Sequence, residues 1–160
     1  MSQSGLDRFD HAILAALQAN GRLSNVELAE AVGLSPSPCL RRVKRLEAEG
    51  YLTGYRGLLD RDKVGLGMTV FVEIKAERHF IEASKALQEA LAAIPEVVAA
   101  HMVSGEADFL VEVVVPDLKA YERVLNERLL SLNMVKDIRS NFAIRIIKTA
   151  APLPLDHLAG

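Results

Sequence analysis

The period of the apolar residues changes near position 50, so no single layer of secondary structure accommodates both halves of the chain. Before that point the spacing is helical. Phe9, Ile13, Leu14 and Leu17 share one face of a first helix, which Asn20-Gly21 stops. Ser24 and Glu27 form an S-x-x-E capping box that starts a second helix, and Gly33, able to take positive φ, ends it. Ser35 caps a third helix with Pro36 in the first turn, where its missing N–H costs nothing. Leu40, Val43, Leu46 and Glu47 fall on one side of that helix, and Gly50 closes it. Residues 51–55 and 57–59 read as a short strand pair or wing, followed by a charged, glycine-containing linker.

Beyond the linker, strand and helix signals alternate. Residues 68–77 place Val70, Val72 and Ile74 on one face of a strand. Phe80, Ala83, Leu87, Ala90, Leu91 and Ile94 recur at helical spacing up to Pro95. Two strands, 97–104 and 108–115, flank a Gly105-Glu106-Ala107 turn. Leu118, Tyr121, Val124, Leu125, Leu129 and Leu132 mark another helix. Ile138, Ser140, Phe142, Ile144 and Ile146 then alternate with polar residues as a last strand. The order βαββαβ is the ferredoxin-like unit. The expected fold class is therefore α+β: a winged helix-turn-helix over 1–60, a linker over 61–67 and a ferredoxin-like domain over 68–160. Helices cover one face of such a sheet. The other is expected to meet a second subunit, with Phe71 and the valines of 111–115 as the covered residues.

Charge is unevenly placed in this chain of 160 residues, whose formal net charge is −2. Arg41, Arg42, Lys44 and Arg45 cluster in residues 35–45, where no acidic residue occurs. An acidic chain with one basic stripe offers phosphate a single docking place. On a helical projection Ser37, Pro38, Arg41, Arg45 and Ala48 lie opposite the Leu40–Val43–Glu47 side, with Arg42 and Lys44 flanking them. Short side chains at the N-terminal end and guanidinium forks beyond suit a major-groove helix, and Ser35 stands where free N–H groups face a phosphate.

A lone Cys39 excludes a disulfide framework and a cysteine-rich zinc site, and packing explains it better than a redox role. No apolar run approaches the roughly 20 residues a spanning helix needs, and the N-terminal sequence lacks a secretory pattern; a cytoplasmic location with no membrane contact is expected. His11, His79, His101 and His157 show no metal-ligand spacing, and P-loop, G-x-S-x-G and G-x-G-x-x-G motifs are missing. Neither an enzyme nor a cofactor is expected. In the hairpin turn, Gly105 lets the backbone turn tightly with its N–H open to a carboxylate, while Asp108 accepts from an ammonium group. Such a pair suits a zwitterionic amino acid, and equally a plain turn with an exposed aspartate.

The run Leu23-Ser24-Asn25-Val26-Glu27-Leu28-Ala29, with Val32-Gly33-Leu34-Ser35-Pro36-Ser37-Pro38-Cys39-Leu40-Arg41-Arg42-Val43, closely resembles the Lrp/AsnC family of feast/famine transcriptional regulators. Met102-Val103-Ser104-Gly105-Glu106-Ala107-Asp108-Phe109 resembles that family's glycine–aspartate loop. The resemblance implies double-stranded DNA as a partner, dimers assembling into octamers, and an amino acid or related metabolite as effector, bound between dimers. Carried over by position, it implies effector contacts from Met102, Ser104, Gly105 and Asp108, apolar lining from Leu118 and Leu130, and a contribution from Asn141, near the start of the last strand. Relatives often have an aromatic residue in the place of Asn141. An architectural protein that wraps DNA without an effector is the alternative.

Overall fold

The computed structural model describes residues 5–77 and 81–158, which fall into two compact units. One comprises Met1–Leu58 with Lys148–Gly160; the other is Leu59–Ile147.

Among the described residues the first unit holds three α-helices, α1 (Arg8–Ala19), α2 (Asn25–Val32) and α3 (Pro36–Ala48), and a short 3-10 turn over Asp156–Leu158. Each of the first two starts on a reciprocal cap. The Asp7 carboxylate accepts the N–H groups of Phe9 and Asp10, and Asp10 accepts the Asp7 N–H at 3.0 Å. Ser24 and Glu27 form the expected box on α2. Gly33 takes the left-handed conformation at φ 72° and turns the chain into α3. Ile13, Leu14, Leu17, Leu28, Ala29, Cys39 and Leu46 form the core. On α3 the buried stripe thus runs through Cys39 and Leu46; Leu40, expected inside, is exposed.

Two expectations about this unit change. Residues 51–59 form no strand ladder in the single chain. The tail 148–160, expected with the second domain, belongs to the helical unit. Gln18 holds it there through both ends of its amide: the side chain donates to the Leu153 carbonyl at 3.2 Å and accepts the Leu153 N–H at 2.7 Å. Leu155 packs on the helical core.

The second unit is an antiparallel sheet of β1 (Met68–Ala76), β2 (Val97–Met102), β3 (Phe109–Val115) and β4 (Val135–Phe142), in the order β2-β3-β1-β4. Helices α4 (Ile81–Ala92) and α5 (Leu118–Arg123) complete the βαββαβ order, and a π-helical turn (Val124–Leu129) extends α5. Phe80 lies outside the described residues, as does the side chain of Ala83. Val70, Val72 and Ile74 of β1 and Val111, Val113 and Val115 of β3 pack beneath Leu87, Leu91, Tyr121, Val124 and Leu129. These three β3 valines therefore face the helices, not a partner. The uncovered face carries Phe71, Glu73 and Lys75 beside Asn141, Arg139 and Asp137, paired in register. It is charged where an apolar surface was expected.

The last strand stops at Phe142 rather than continuing to Ile146. Its partner β1 begins at Met68, so after the Ala143 N–H meets the Thr69 carbonyl at 3.0 Å no backbone remains to pair with. Ile144 and Ile147 are left fully or almost fully exposed. Asn141 accordingly stands near the end of β4, not its start.

Candidate nucleic-acid interface and ligand loop

The cations of α3 divide into two sets. Asp10 on α1 is buried to 1 % of its surface, and an ionised carboxylate survives there only with charged partners. Arg42 donates to its Oδ1 at 2.9 Å and Arg45 donates to its Oδ2. Arg42 also pairs with Asp7 at 2.8 Å and lies over the Phe9 ring. These contacts with Asp10 and Asp7 lift the Arg42 guanidinium above its ordinary range. Burial alone would raise the Asp7 carboxyl, but the Asp10 N–H, Arg42 and the Phe9 N–H outweigh it and hold the group below the usual carboxylate range.

Arg41 and Lys44 are exposed and make no ion pair among the described residues. With Cys39 and Leu46 inward, 100° per residue puts Ser37, Arg41, Lys44 and Ala48 at the centre of the outward face. Arg45 and Pro38 flank it. Sequence reasoning had placed Arg45 at the centre and Lys44 beside it. Ser35 occupies the N-cap, yet its hydroxyl makes no cap bond, and Pro36 follows as the first helical residue. Asn25 donates its side-chain amide to the Pro36 carbonyl at 2.8 Å, tying the start of α2 to the start of α3. Burial pushes the Cys39 thiol up, away from the thiolate that redox chemistry requires.

In the second unit the β2–β3 hairpin brings Ser104, Gly105 and Asp108 together, with Met102 at the end of β2. Gly105 sits at φ 133°, a conformation that favours glycine. Asp108 serves the turn through three groups. Its carbonyl accepts the Val103 N–H at 3.0 Å, its N–H donates to the Ile74 carbonyl at 2.9 Å, and its Oδ2 accepts the Ala76 N–H at 2.8 Å. The loop is thereby pinned to the end of β1.

Beside it, on the uncovered face, a cleft of about 290 Å³ is lined by Glu73, Lys75, Glu106, Ala107, Asp137 and Arg139. Arg139 pairs with Glu73 at 3.5 Å, and Asn141 donates to Glu73 at 2.9 Å. Glu73, Lys75, Asp137 and Arg139 were not singled out in the sequence, although their alternation with Val72, Ile74 and Ile138 places them on one face. Leu118 lies past the far end of β3, roughly 20 Å along the strand from the loop. Leu130 follows the π-helical turn. Met102, Leu118 and Leu130 each expose more than half of their surface, so none is buried in a pocket of the single chain.

Comparison with known proteins places this architecture. The family description "Winged helix-turn-helix DNA-binding" matches residues 6–53, and "Lrp/AsnC ligand binding domain" matches residues 69–153. Leucine-responsive regulatory proteins of Klebsiella pneumoniae and Escherichia coli K12 are 43 % identical over 143 residues, spanning 89 % of this chain and 87 % of theirs. A transcriptional regulator of Neisseria meningitidis, solved in complex with L-methionine, superposes with a TM-score of 0.91 at 40 % identity, covering 96 % of this chain and 99 % of that one. An AsnC family regulator of Agrobacterium tumefaciens superposes with a TM-score of 0.90 at 40 % identity, covering 95 % and 99 %. With a DNA-binding helix-turn-helix joined to a ligand-binding sheet domain, the chain belongs to the Lrp/AsnC family of transcriptional regulators, which is not a family of enzymes.

Proposed function

We propose that the protein reads an operator with the outward face of α3 and that an amino acid bound at the hairpin loop changes its operator affinity or assembly. The division of the α3 cations carries the DNA half of this reading. Asp10 engages Arg42 and Arg45, while Arg41 and Lys44 remain unpaired among the described residues, beside Ser37 on a helix face free of acidic side chains. Arg41 reaches base edges, Lys44 a phosphate, and Ser35 with Ser37 and Pro38 permits close approach at the helix start. Arg42 and Arg45 act mainly by holding α3 to α1, with Arg45, the more exposed, also near the backbone of the duplex.

The effector half rests on the glycine–aspartate turn and on the L-methionine bound by the Neisseria relative. Ser104, Gly105 and Asp108 hold the polar end of the ligand and Met102 borders it. Leu118 and Leu130 contribute from a neighbouring copy, since the single chain does not bring them to the loop, and Asn141 acts through Glu73 of the adjoining cleft. No cofactor enters this scheme. The test is operator binding measured with and without each of the twenty amino acids. A shift with at least one of them supports regulation. Operator binding unmoved by all twenty identifies a ligand-independent architectural protein instead, and loss of sequence preference altogether refutes the recognition helix.

A further inference from the structure

Within the helical unit, the turn after α1 and the segment after α3 meet at a cleft of about 490 Å³, which Ala150 and Ala151 of the tail also line. The Asn20 side chain fixes the turn by accepting the Arg22 N–H at 3.0 Å. Tyr55 fixes the segment. Its ring lies beside Gly21, where a Cβ would stand 3.6 Å from Cδ1, and its hydroxyl donates to Glu47 Oε1 at 2.9 Å. Burial and that carboxylate hold the phenol above its ordinary range, so it remains a donor at neutral pH. Glu47 is the one acidic residue of α3, and this bond engages it. Arg22 and Arg56 are exposed, line the cleft and make no ion pair or side-chain hydrogen bond among the described residues. No acidic residue lines it, and of the lining side chains only Leu17 is buried.

Taking α3 as the recognition helix, on which this depends, we propose that the cleft receives a phosphate of the duplex backbone beside the stretch that α3 reads, with Arg22 and Arg56 as its contacts. Two unpaired guanidiniums on a chain of net charge −2 make a local attraction for an anion. Gly21, Gly54, Gly57 and Ala150 around them carry little or no side chain, which leaves room for a backbone ridge to approach. A small metabolite fits less well, because no buried polar side chain stands in the cleft to orient it. The Tyr55–Glu47 bond joins the cleft to α3, so one duplex engages both. Contacts of this kind set register and strengthen binding without reading sequence.

Fluorescence anisotropy of the full-length protein on operator and non-operator duplexes, over a salt series, tests this. Arg22→Gln and Arg56→Gln each lower the slope of log affinity against log salt by about 0.9 on both duplexes, and the preference for operator is unchanged. Both side chains are exposed and unpartnered among the described residues, so the melting temperature stays at the parent value and a lost slope is not a lost fold. Arg41→Ala and Lys44→Ala are measured alongside. If these two weaken binding and the cleft variants leave the slope unmoved, the cleft is refuted and α3 stands. If none of the four has an effect, the recognition helix is wrong and the cleft falls with it. Inorganic pyrophosphate that binds the DNA-free chain and not the Arg56→Gln chain, with the DNA slope unmoved, also overturns the proposal, since the cleft then holds a free anion.

Discussion

Asp10 ties up Arg42 and Arg45, and the proposed reading leaves Arg41 and Lys44 for DNA. On the proposed reading, in which Arg41 meets a base edge, Arg41→Ala is expected to weaken operator binding by about 1–3 kcal/mol. Lys44→Ala should weaken all sequences alike and reduce the slope of log affinity against log salt by about 1. Fluorescence anisotropy over a salt series distinguishes the two. Asp10→Ala frees Arg45 into water and leaves Arg42 on Asp7, so its cost is the lost cap and charge-assisted bonds, about 1–3 kcal/mol in a denaturation midpoint. The same variant should bind non-operator DNA more tightly. Tighter binding of operator alone would contradict this.

Asp7 adds a pH dependence. Its folded-state carboxyl is lowered, so its contribution to stability is present above the ordinary carboxylate pKa of about 4 and is lost as pH falls through the lower folded value. Asp7→Asn should flatten the stability of the helical unit across that acidic window and leave neutral-pH DNA affinity nearly unchanged. None of this was legible in the sequence. Arg42 and Asp10 stand 32 residues apart, and a buried aspartate in α1 reads locally as one more polar helix residue. The α2 cap was legible, because Ser24 and Glu27 are neighbours whose geometry is fixed within one turn, whereas the Asp7–Asp10 box was not read and the expected Ser35 cap makes no side-chain bond.

At the scale of elements, local pattern fixed type better than extent. The βαββαβ order follows from periodicity alone, whereas the end of β4 depends on where β1 begins, a fact of pairing rather than of composition. The extension of α5 shows the same limit. Tyr121, Val124 and Leu129 are all buried, yet Val124 and Leu129 are five apart, a spacing that a wider turn accommodates and an α-helix does not. Tyr121 carries a second constraint: its hydroxyl lies 2.5 Å from Ser140 Oγ and its ring packs edge-on against Phe142 at 5.5 Å. Burial raises the phenol while the Ser140 bond works against it. Tyr121→Phe keeps the ring contact and strands Ser140, so a loss of about 1 kcal/mol is expected in chemical denaturation. A loss above about 3 kcal/mol would mean that the hydroxyl supports more than this bond.

Across the whole molecule, the single chain leaves Leu58, Leu59, Ile144 and Ile147 exposed on segments that form no ladder. Apolar side chains on unpaired backbone are what a second copy covers, and two-fold closure also pairs recognition helices for a pseudo-palindromic operator. Light scattering at micromolar concentration should therefore give a mass of at least twice the 17.5 kDa chain mass. A monomer would remove this account of the exposed segments and the shared effector pocket with it. A dimer that never grows would leave DNA binding standing and confine the effector to a pocket within the dimer. The charged uncovered sheet face, expected to be apolar, makes any contact there sensitive to salt.

The return of residues 148–158 to the helical unit means that the DNA-reading module is discontinuous in sequence, with the sheet unit inserted into it. During synthesis its three helices leave the ribosome first, yet Leu155 and the two Gln18–Leu153 bonds arrive only after residues 59–147 have been made. At the usual 5–20 residues per second, about 90 residues impose a delay of roughly 5–20 s. Over that interval the nascent helical unit lacks the Leu155 contact and both Gln18–Leu153 bonds, so its core is sealed only after the sheet unit has been made.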